Sequence, residues 1–332
     1  MTGIAGTPAA GSRWRAAATW REQFRERPML PLLGLLIVLV AANDIARPGV
    51  VGLSWASIIV RSAVPLAILG ACQTLTMLTG GIDLSVGAVA SMSGFVVASL
   101  AAGAGTPFGI VVALLAAVLT GLVTGIGVGV FRVHPLIVTL GMSLVVLGFA
   151  NFWQIQTVQT SAGVPPELQW LGAQALDQVL PYDLLVFVPL AIIVLLGLRR
   201  TGYGRMLFAI GDNPTAARLS GARSWQVLVA LYIISAVLAA IAGFLYSGYT
   251  NIASVTLVNS AVLPSVAAAV LGGTSIMGGR GGYGGTIVGA LILTVITALL
   301  GALGLPEAFN QILFGAIIVA VAAAYARATS ES

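Results

Sequence analysis

Ten apolar stretches follow one another between Leu30 and Tyr325, most of them close to the roughly 20 residues that a helix needs to cross a bilayer. They lie near Leu30 to Ile45, Ser57 to Leu78, Val86 to Ala102, Phe108 to Phe131, Leu136 to Trp153, Leu184 to Leu198, Gln226 to Tyr246, Ala261 to Met277, Thr286 to Leu303 and Phe309 to Tyr325. Hydrophobic residues make up 58% of the chain, charged ones 8%, and the mean hydropathy is +1.04, so no soluble packing scheme could cover the apolar surface. In hydrocarbon a backbone must satisfy its own polar groups, which leaves helices as the spanning element for stretches of this length. The expected fold is an all-α, polytopic bundle of about ten spans over residues 29–327, with a tail at 1–28 and a short one at 328–332.

The charges orient it. Lys and Arg collect on the cytoplasmic side of membrane spans. If both termini are cytoplasmic, that side receives Arg13, Arg15, Arg21, Arg25, Arg27, Arg132, Arg199, Arg200, Arg205, Arg218, Arg223, Arg280 and Arg327, thirteen of the fifteen basic residues. Arg47 and Arg61 fall on the other side, where Arg61 can reach for headgroups or pair with Asp44. The net charge of +5 is therefore read as topology and lipid-headgroup contact, with no nucleic acid implied. Every basic residue is arginine, which removes the phosphate-gripping lysine of a P-loop, so the chain is not expected to hydrolyse ATP itself. One cysteine (Cys72) and one histidine (His134) rule out a disulfide framework, a Cys/His metal site and a histidine-based triad. No cofactor or metal is expected, and no enzyme.

Three polar breaks stand out. In Gly80-Gly81-Ile82-Asp83-Leu84-Ser85 a carboxylate and a hydroxyl interrupt the apolar pattern. Asp83 there either caps the third span or lines a path. The stretch from Arg199 to Ser224 is the longest basic interruption; Asp212 or Asn213 can cap a short helix that Pro214 begins. Gly272 to Gly285 resembles a phosphate loop but lacks its Lys-Ser/Thr, and the spacing of Gly281, Gly285 and Gly289, like that of Gly121 and Gly125, suits close helix packing. Polar residues inside spans, among them Gln73, Thr74, Thr76, Ser91, Asn151, Gln154, Asn310 and Gln311, can line a solute path or bond neighbouring helices. Between Ile155 and Pro181 a loop without basic residues can form a short surface helix after Pro165-Pro166.

Taken together, Thr79-Gly80-Gly81-Ile82-Asp83-Leu84-Ser85-Val86-Gly87, Gly204-Arg205 with Gly211-Asp212-Asn213 through Ser220-Gly221, and Leu271-Gly272-Gly273-Thr274-Ser275 with Gly278-Gly279-Arg280-Gly281 resemble the permease subunit of bacterial ATP-binding-cassette sugar importers of the ribose, xylose and arabinose type. The resemblance covers about Leu30 to Arg327. It implies a monosaccharide permease without its own ATPase, paired with a second permease copy, a cytoplasmic ATP-binding-cassette ATPase and a periplasmic sugar-binding protein. It also implies that Asn213, Ala216, Ala217, Arg218, Ser220 and Gly221 form the coupling helix that docks on the ATPase. Gly80, Gly81, Asp83, Ser85, Gln73, Thr274 and Ser275 are the gating or pathway candidates. The segment Asn259 to Val266 has none of the acidic residues that many ribose-type members carry there, which points away from ribose itself. The alternatives are a branched-chain amino-acid permease of the same class, an ion-coupled carrier acting alone and, last, a membrane-embedded enzyme.

Overall fold

The computed structural model describes residues 29–157 and 163–330, with side chains for residues 30–157 and 163–320. The expected tail 1–28 with its five arginines, residues 158–162 and residues 331–332 lie outside the described residues. The chain is an all-α bundle: α1 (Met29–Ala46), α2 (Leu53–Leu78), α3 (Val86–Ala104), α4 (Thr106–Gly129), α5 (Pro135–Thr157), α6 (Pro166–Ala173), α7 (Leu184–Arg200), α8 (Gly202–Asp212), α9 (Pro214–Leu219), α10 (Ser224–Thr250), α11 (Val262–Leu271), α12 (Tyr283–Ala302) and α13 (Glu307–Ser330). A two-residue hairpin, β1 (Ala175–Leu176) and β2 (Leu180–Pro181), is the one sheet among the described residues.

Among the described residues six helices are long and apolar enough to cross a membrane, namely α2, α3, α4, α5, α10 and α12, and the pair α7–α8, bent by 66°, can supply a seventh. The count of about ten is not reached on that basis. The stretch Ala261 to Met277 is the clearest departure, because its helix stops at Leu271 after ten residues. Past that point Gly273, Gly278, Gly279 and Gly281 all take positive φ, a conformation that ends a helix and that residues with a Cβ resist. The helix α13 runs on through Ser330, so the expected C-terminal tail at 328–332 is helical over its described part.

Helix α10 is the centre of the bundle, packed against α2, α3, α4 and α6. Its small residues explain the closeness: a Cβ on Gly243 would stand 2.0 Å from the Ala90 carbonyl oxygen of α3, and one on Gly121 of α4 would stand 2.5 Å from the Tyr232 oxygen of α10. Gly285 and Gly289 bring α12 against Gly272 and Ala268 in the same way, whereas Gly281 lies in the turn before the helix. A hydroxyl pair, Thr74 Oγ1 and Thr286 Oγ1 at 2.6 Å, joins α2 to α12. At the other extreme α5 turns Ile137, Leu140, Leu144, Val145, Phe149 and Phe152 outward, an apolar face suited to lipid tails.

One end of the bundle gathers Arg132, the Arg199–Arg223 segment and Arg280 and is called the basic end below. The opposite end holds α6, which covers less chain than the loop pattern suggested and is no free surface helix. Leu168 and Gly172 are buried, and a Cβ on Gly172 would meet the Leu245 oxygen and the Tyr249 nitrogen at 2.6 Å. Arg61 does not pair with Asp44, whose Oδ1 instead accepts from the Gly49 amide at 3.1 Å. The Arg61 guanidinium donates to the Ala173 carbonyl and lies near Asp183, at the start of α7.

Asp183 is buried, with no well-formed hydrogen bond to either carboxylate oxygen, and burial pushes its carboxyl up to about 6 against the opposing pull of the nearby Leu184 amide and Arg61. An acid whose folded pKa is raised above the usual 3.8 contributes stability that is complete below that value and is lost as pH rises through about 6. The melting temperature of the detergent-solubilised chain is therefore expected to fall across this window, and Asp183→Asn to flatten the fall and melt several degrees higher near neutral pH. A variant with an unchanged pH profile would remove Asp183 from this role.

Candidate translocation site

A cavity of about 590 Å³ lies at the end away from the basic end, among α2, α10, α11, α12 and α13. Its position follows from the half-length of α11. The chain leaves α10 at Thr250, turns through Asn251 in the left-handed region, and descends to a 3-10 turn, Asn259–Ala261, before α11 begins. That turn lies inside the bundle: the Val258 amide donates to Ser91 Oγ at 2.8 Å, and a Cβ on Gly87 would meet Val262 and Asn259. With α11 starting at depth, the volume above it is left open.

The lining is mixed in the way a hydroxylated solute requires. Apolar walls come from Ile58, Ile59, Leu66, Leu263, Leu293 and Phe314. Between them converge the hydroxyls of Ser62, Tyr246, Tyr249, Ser260, Thr294 and Thr297, the amides of Asn259 and Gln311, and the carboxylate of Glu307. Glu307 is the one charged residue on the wall, and its Oε2 accepts from Asn310 Nδ2 at 2.9 Å. Few polar groups set in an apolar cleft are the usual make-up of a small-molecule site. Of the polar residues singled out in the sequence, Gln311 reaches this wall.

The pathway candidates are brought together elsewhere, in a buried knot toward the basic end. Asp83 Oδ1 accepts from the Ser85 amide at 3.0 Å and from Ser85 Oγ at 2.6 Å, and its Oδ2 accepts from Ser235 Oγ of α10 at 2.8 Å. Gln73 grips the same residue by its backbone, donating from Nε2 to the Asp83 carbonyl at 2.9 Å and accepting from the Asp83 amide at 3.3 Å. Asp83 thus spends its oxygens on a tight turn and a tether to α10, and no side chain hydrogen bond caps α3 itself. Cys72 lies under the knot and donates to the Ile68 and Ser235 carbonyls, as a packing residue. Gly80 has φ +78, and Gly81 is pressed against Tyr232 and Pro135.

Thr274 and Ser275 lie in the turn after α11. Ser275 accepts the Met277 amide at 3.2 Å, while the buried Thr274 hydroxyl has no partner. The loops after α2 and α11 and the last turn of α8 meet here through their backbones. The Gly279 amide donates to the Leu78 carbonyl at 3.0 Å, and a Cβ on Gly211 would stand 1.8 Å from that same oxygen. The breaks after α2 and α11 and the end of α8 are therefore one structural unit.

Just beyond it, α9 forms as the sequence required. Asn213 Oδ1 accepts from the Thr215 and Ala216 amides at 3.1 and 3.0 Å, and Pro214 begins the helix, where no amide is needed. Ala217 is buried against the bundle; Ala216, Arg218, Ser220 and Gly221 are exposed, and Gly221 has φ +86. Leu219 is 84% exposed, an apolar side chain left uncovered at the end of a charged loop.

The model of the family described as branched-chain amino acid transport system / permease component matches residues 55–322. The fructose import permease protein of Rhizobium meliloti is 32% identical over 301 residues, 87% of this chain and 82% of its own length. The galactofuranose transporter permease protein of Escherichia coli K12 is 32% identical over 319 residues, 91% of each chain. The autoinducer 2 import system permease protein of Escherichia coli O157:H7 is 29% identical over 296 residues, 89% of this chain and 85% of its own. No solved structure matches. With the family model covering most of the chain and two such relatives above 30% identity along nearly its whole length, the chain belongs to this family of transport-system permease components.

Proposed function

We propose that the chain is the membrane subunit of an ATP-driven importer of a monosaccharide. The carrying observation is the pairing of a hydroxyl- and amide-lined cavity at one end with a capped, exposed helix at the other. The fructose and galactofuranose relatives favour a sugar over a branched-chain amino acid, and the cavity wall agrees, since it has no arginine or lysine to hold an amino-acid carboxylate. On this reading the basic end is cytoplasmic, the cavity faces the periplasm and receives its solute from a binding protein, and two copies of the chain pair. The topology then comes to ten crossings, with α1, α7–α8 and α13 added to the long spans and the eighth made of α11 and the glycine turn after it. An ATPase docks on α9, and the knot of three glycine segments carries its motion to α2, α8 and α11. Asp83, Gln73 and Ser85 serve this as a gating tether, without touching the solute, and Gly80, Gly81, Thr274 and Ser275 form its turns.

The test is uptake of labelled monosaccharides by proteoliposomes holding the chain with its ATPase and binding protein. ATP-dependent uptake is expected, reduced roughly tenfold when Thr294→Val and Gln311→Leu remove two solute hydrogen bonds. Uptake by the chain alone under an ion gradient, without ATP, would overturn the reading.

A further inference from the structure

A second cavity, of about 210 Å³, lies at the basic end, where α4, α8, α9 and the start of α10 come together. The solute path proposed above does not use it. Arg132, Arg218 and Arg223 line it, and among the described residues no carboxylate does. Arg132 is placed there by a left-handed backbone with φ 57, a conformation that a residue with a Cβ does not adopt freely. Among the described residues Arg218 donates to its neighbour Thr215 Oγ1 alone, at a long 3.4 Å.

The remaining polar features have the same sign. Helix α10, 27 residues long, begins at this cavity, and no side chain caps its first turn. The first residue of that helix, Ser224, belongs to the lining, and its hydroxyl oxygen is buried there with no hydrogen-bond partner among the described residues. Three exposed arginines, the positive end of a helix and an idle hydroxyl thus belong to the surroundings of one small space. Their complement is a compact anion with several acceptor oxygens, a phosphate. The rest of the wall is apolar, with Val128, Ile210 and Leu228, and Trp225 stands half-exposed beside it, as tryptophan does at the headgroup level of a bilayer.

We propose that this cavity holds the phosphate of an anionic phospholipid from the surrounding leaflet, with an acyl chain along the apolar wall. Arg218 belongs to α9, and Arg132 and Arg223 flank α4 and α10, so the lipid would fasten the exposed helix to the bundle. That the leaflet is the cytoplasmic one rests on the orientation given above, whereas the binding does not.

Native mass spectrometry of the full chain in mild detergent tests this, with phosphatidylglycerol or phosphatidylcholine added and with or without millimolar inorganic phosphate. One phosphatidylglycerol per chain should be retained in preference to phosphatidylcholine. Arg132→Gln should weaken retention about fivefold, and Arg132→Gln with Arg223→Gln about 25-fold to 30-fold. If the double variant unfolds, Ser224→Ala, expected to weaken retention about threefold, and the charge-keeping Arg132→Lys with Arg223→Lys, expected to retain the lipid, carry the test. Equal retention of the two lipids, or of phosphatidylglycerol by wild type and the charge-removing variants, would overturn the proposal. Displacement of the lipid by inorganic phosphate would overturn the lipid as occupant in favour of the soluble ion. Sugar uptake is read separately, so a failure here leaves the transport reading standing.

Discussion

Gly243→Leu should leave almost no folded chain in the membrane, and Gly243→Ala should already lower the melting temperature sharply. The Cβ of any substitute would stand 2.0 Å from the Ala90 oxygen, 2.7 Å from its carbonyl carbon and 2.9 Å from its Cα, all of them backbone atoms of α3. Backbone cannot rotate aside as a side chain can, so α3 and α10 would have to separate along their shared length. Overpacking of this kind costs about 1–3 kcal/mol for small intrusions and more for large ones. Gly148→Leu on α5 is the control, since its Cβ would have no neighbour within 4 Å and an exposed helical glycine gains roughly 0.5–1 kcal/mol on replacement by a better helix former. Thermal unfolding of the two variants in detergent should separate them widely. Equal melting temperatures would mean that α10 does not sit where this packing places it.

Leu219→Asp should uncouple transport without harming the fold. Leu219 is 84% exposed at the tip of α9 and supports nothing within the chain, so its loss should leave the melting temperature unchanged. If α9 inserts into a groove of the ATPase, this apolar tip is a natural anchor, and truncating an anchor costs about 2 kcal/mol or more, roughly a 30-fold loss of association. ATP-dependent uptake and co-purification of the ATPase should fall together. Asn213→Ala should act in the same direction and more weakly, through a lost cap worth about 1 kcal/mol. Normal uptake by the Leu219 variant would mean that the ATPase grips another surface.

Most of the long helices were legible because lipid imposes a length and a polarity that sequence displays directly. The turn at Asn213-Pro214 was legible for a local reason, as cap and first residue are adjacent in the chain. The shortness of α11 was not, because Ala261 to Met277 has the apolar content of a span and its interruption depends on several glycines adopting positive φ together. Nor was the cavity. Asn259-Ser260, Thr294, Thr297 and Glu307 lie far apart in apolar or turn-like surroundings, and only the packing of α11, α12 and α13 together brings them to one wall with Gln311, the one of these that stood out as a path candidate in the sequence. Conversely, Gln73 stands out in the sequence as a polar group in a span, but its two bonds to the Asp83 backbone fix it in the buried knot. The arginine cavity combines one residue after α4 with two near α9, and no linear motif records that meeting.

Helix α11 begins at the floor of the cavity, and its amino-terminal turn supplies part of the wall. The amino end of a helix carries a partial positive charge of roughly half a unit, concentrated in its first turn. A neutral sugar can rest its hydroxyl oxygens against that end. A sodium ion or a hydronium ion in the same cleft would meet like charge at that floor and opposite charge at the Glu307 carboxylate on the wall. The cleft thus sets one partial positive charge against one carboxylate, a polarity that suits a neutral, hydroxyl-rich solute better than an ion of either sign.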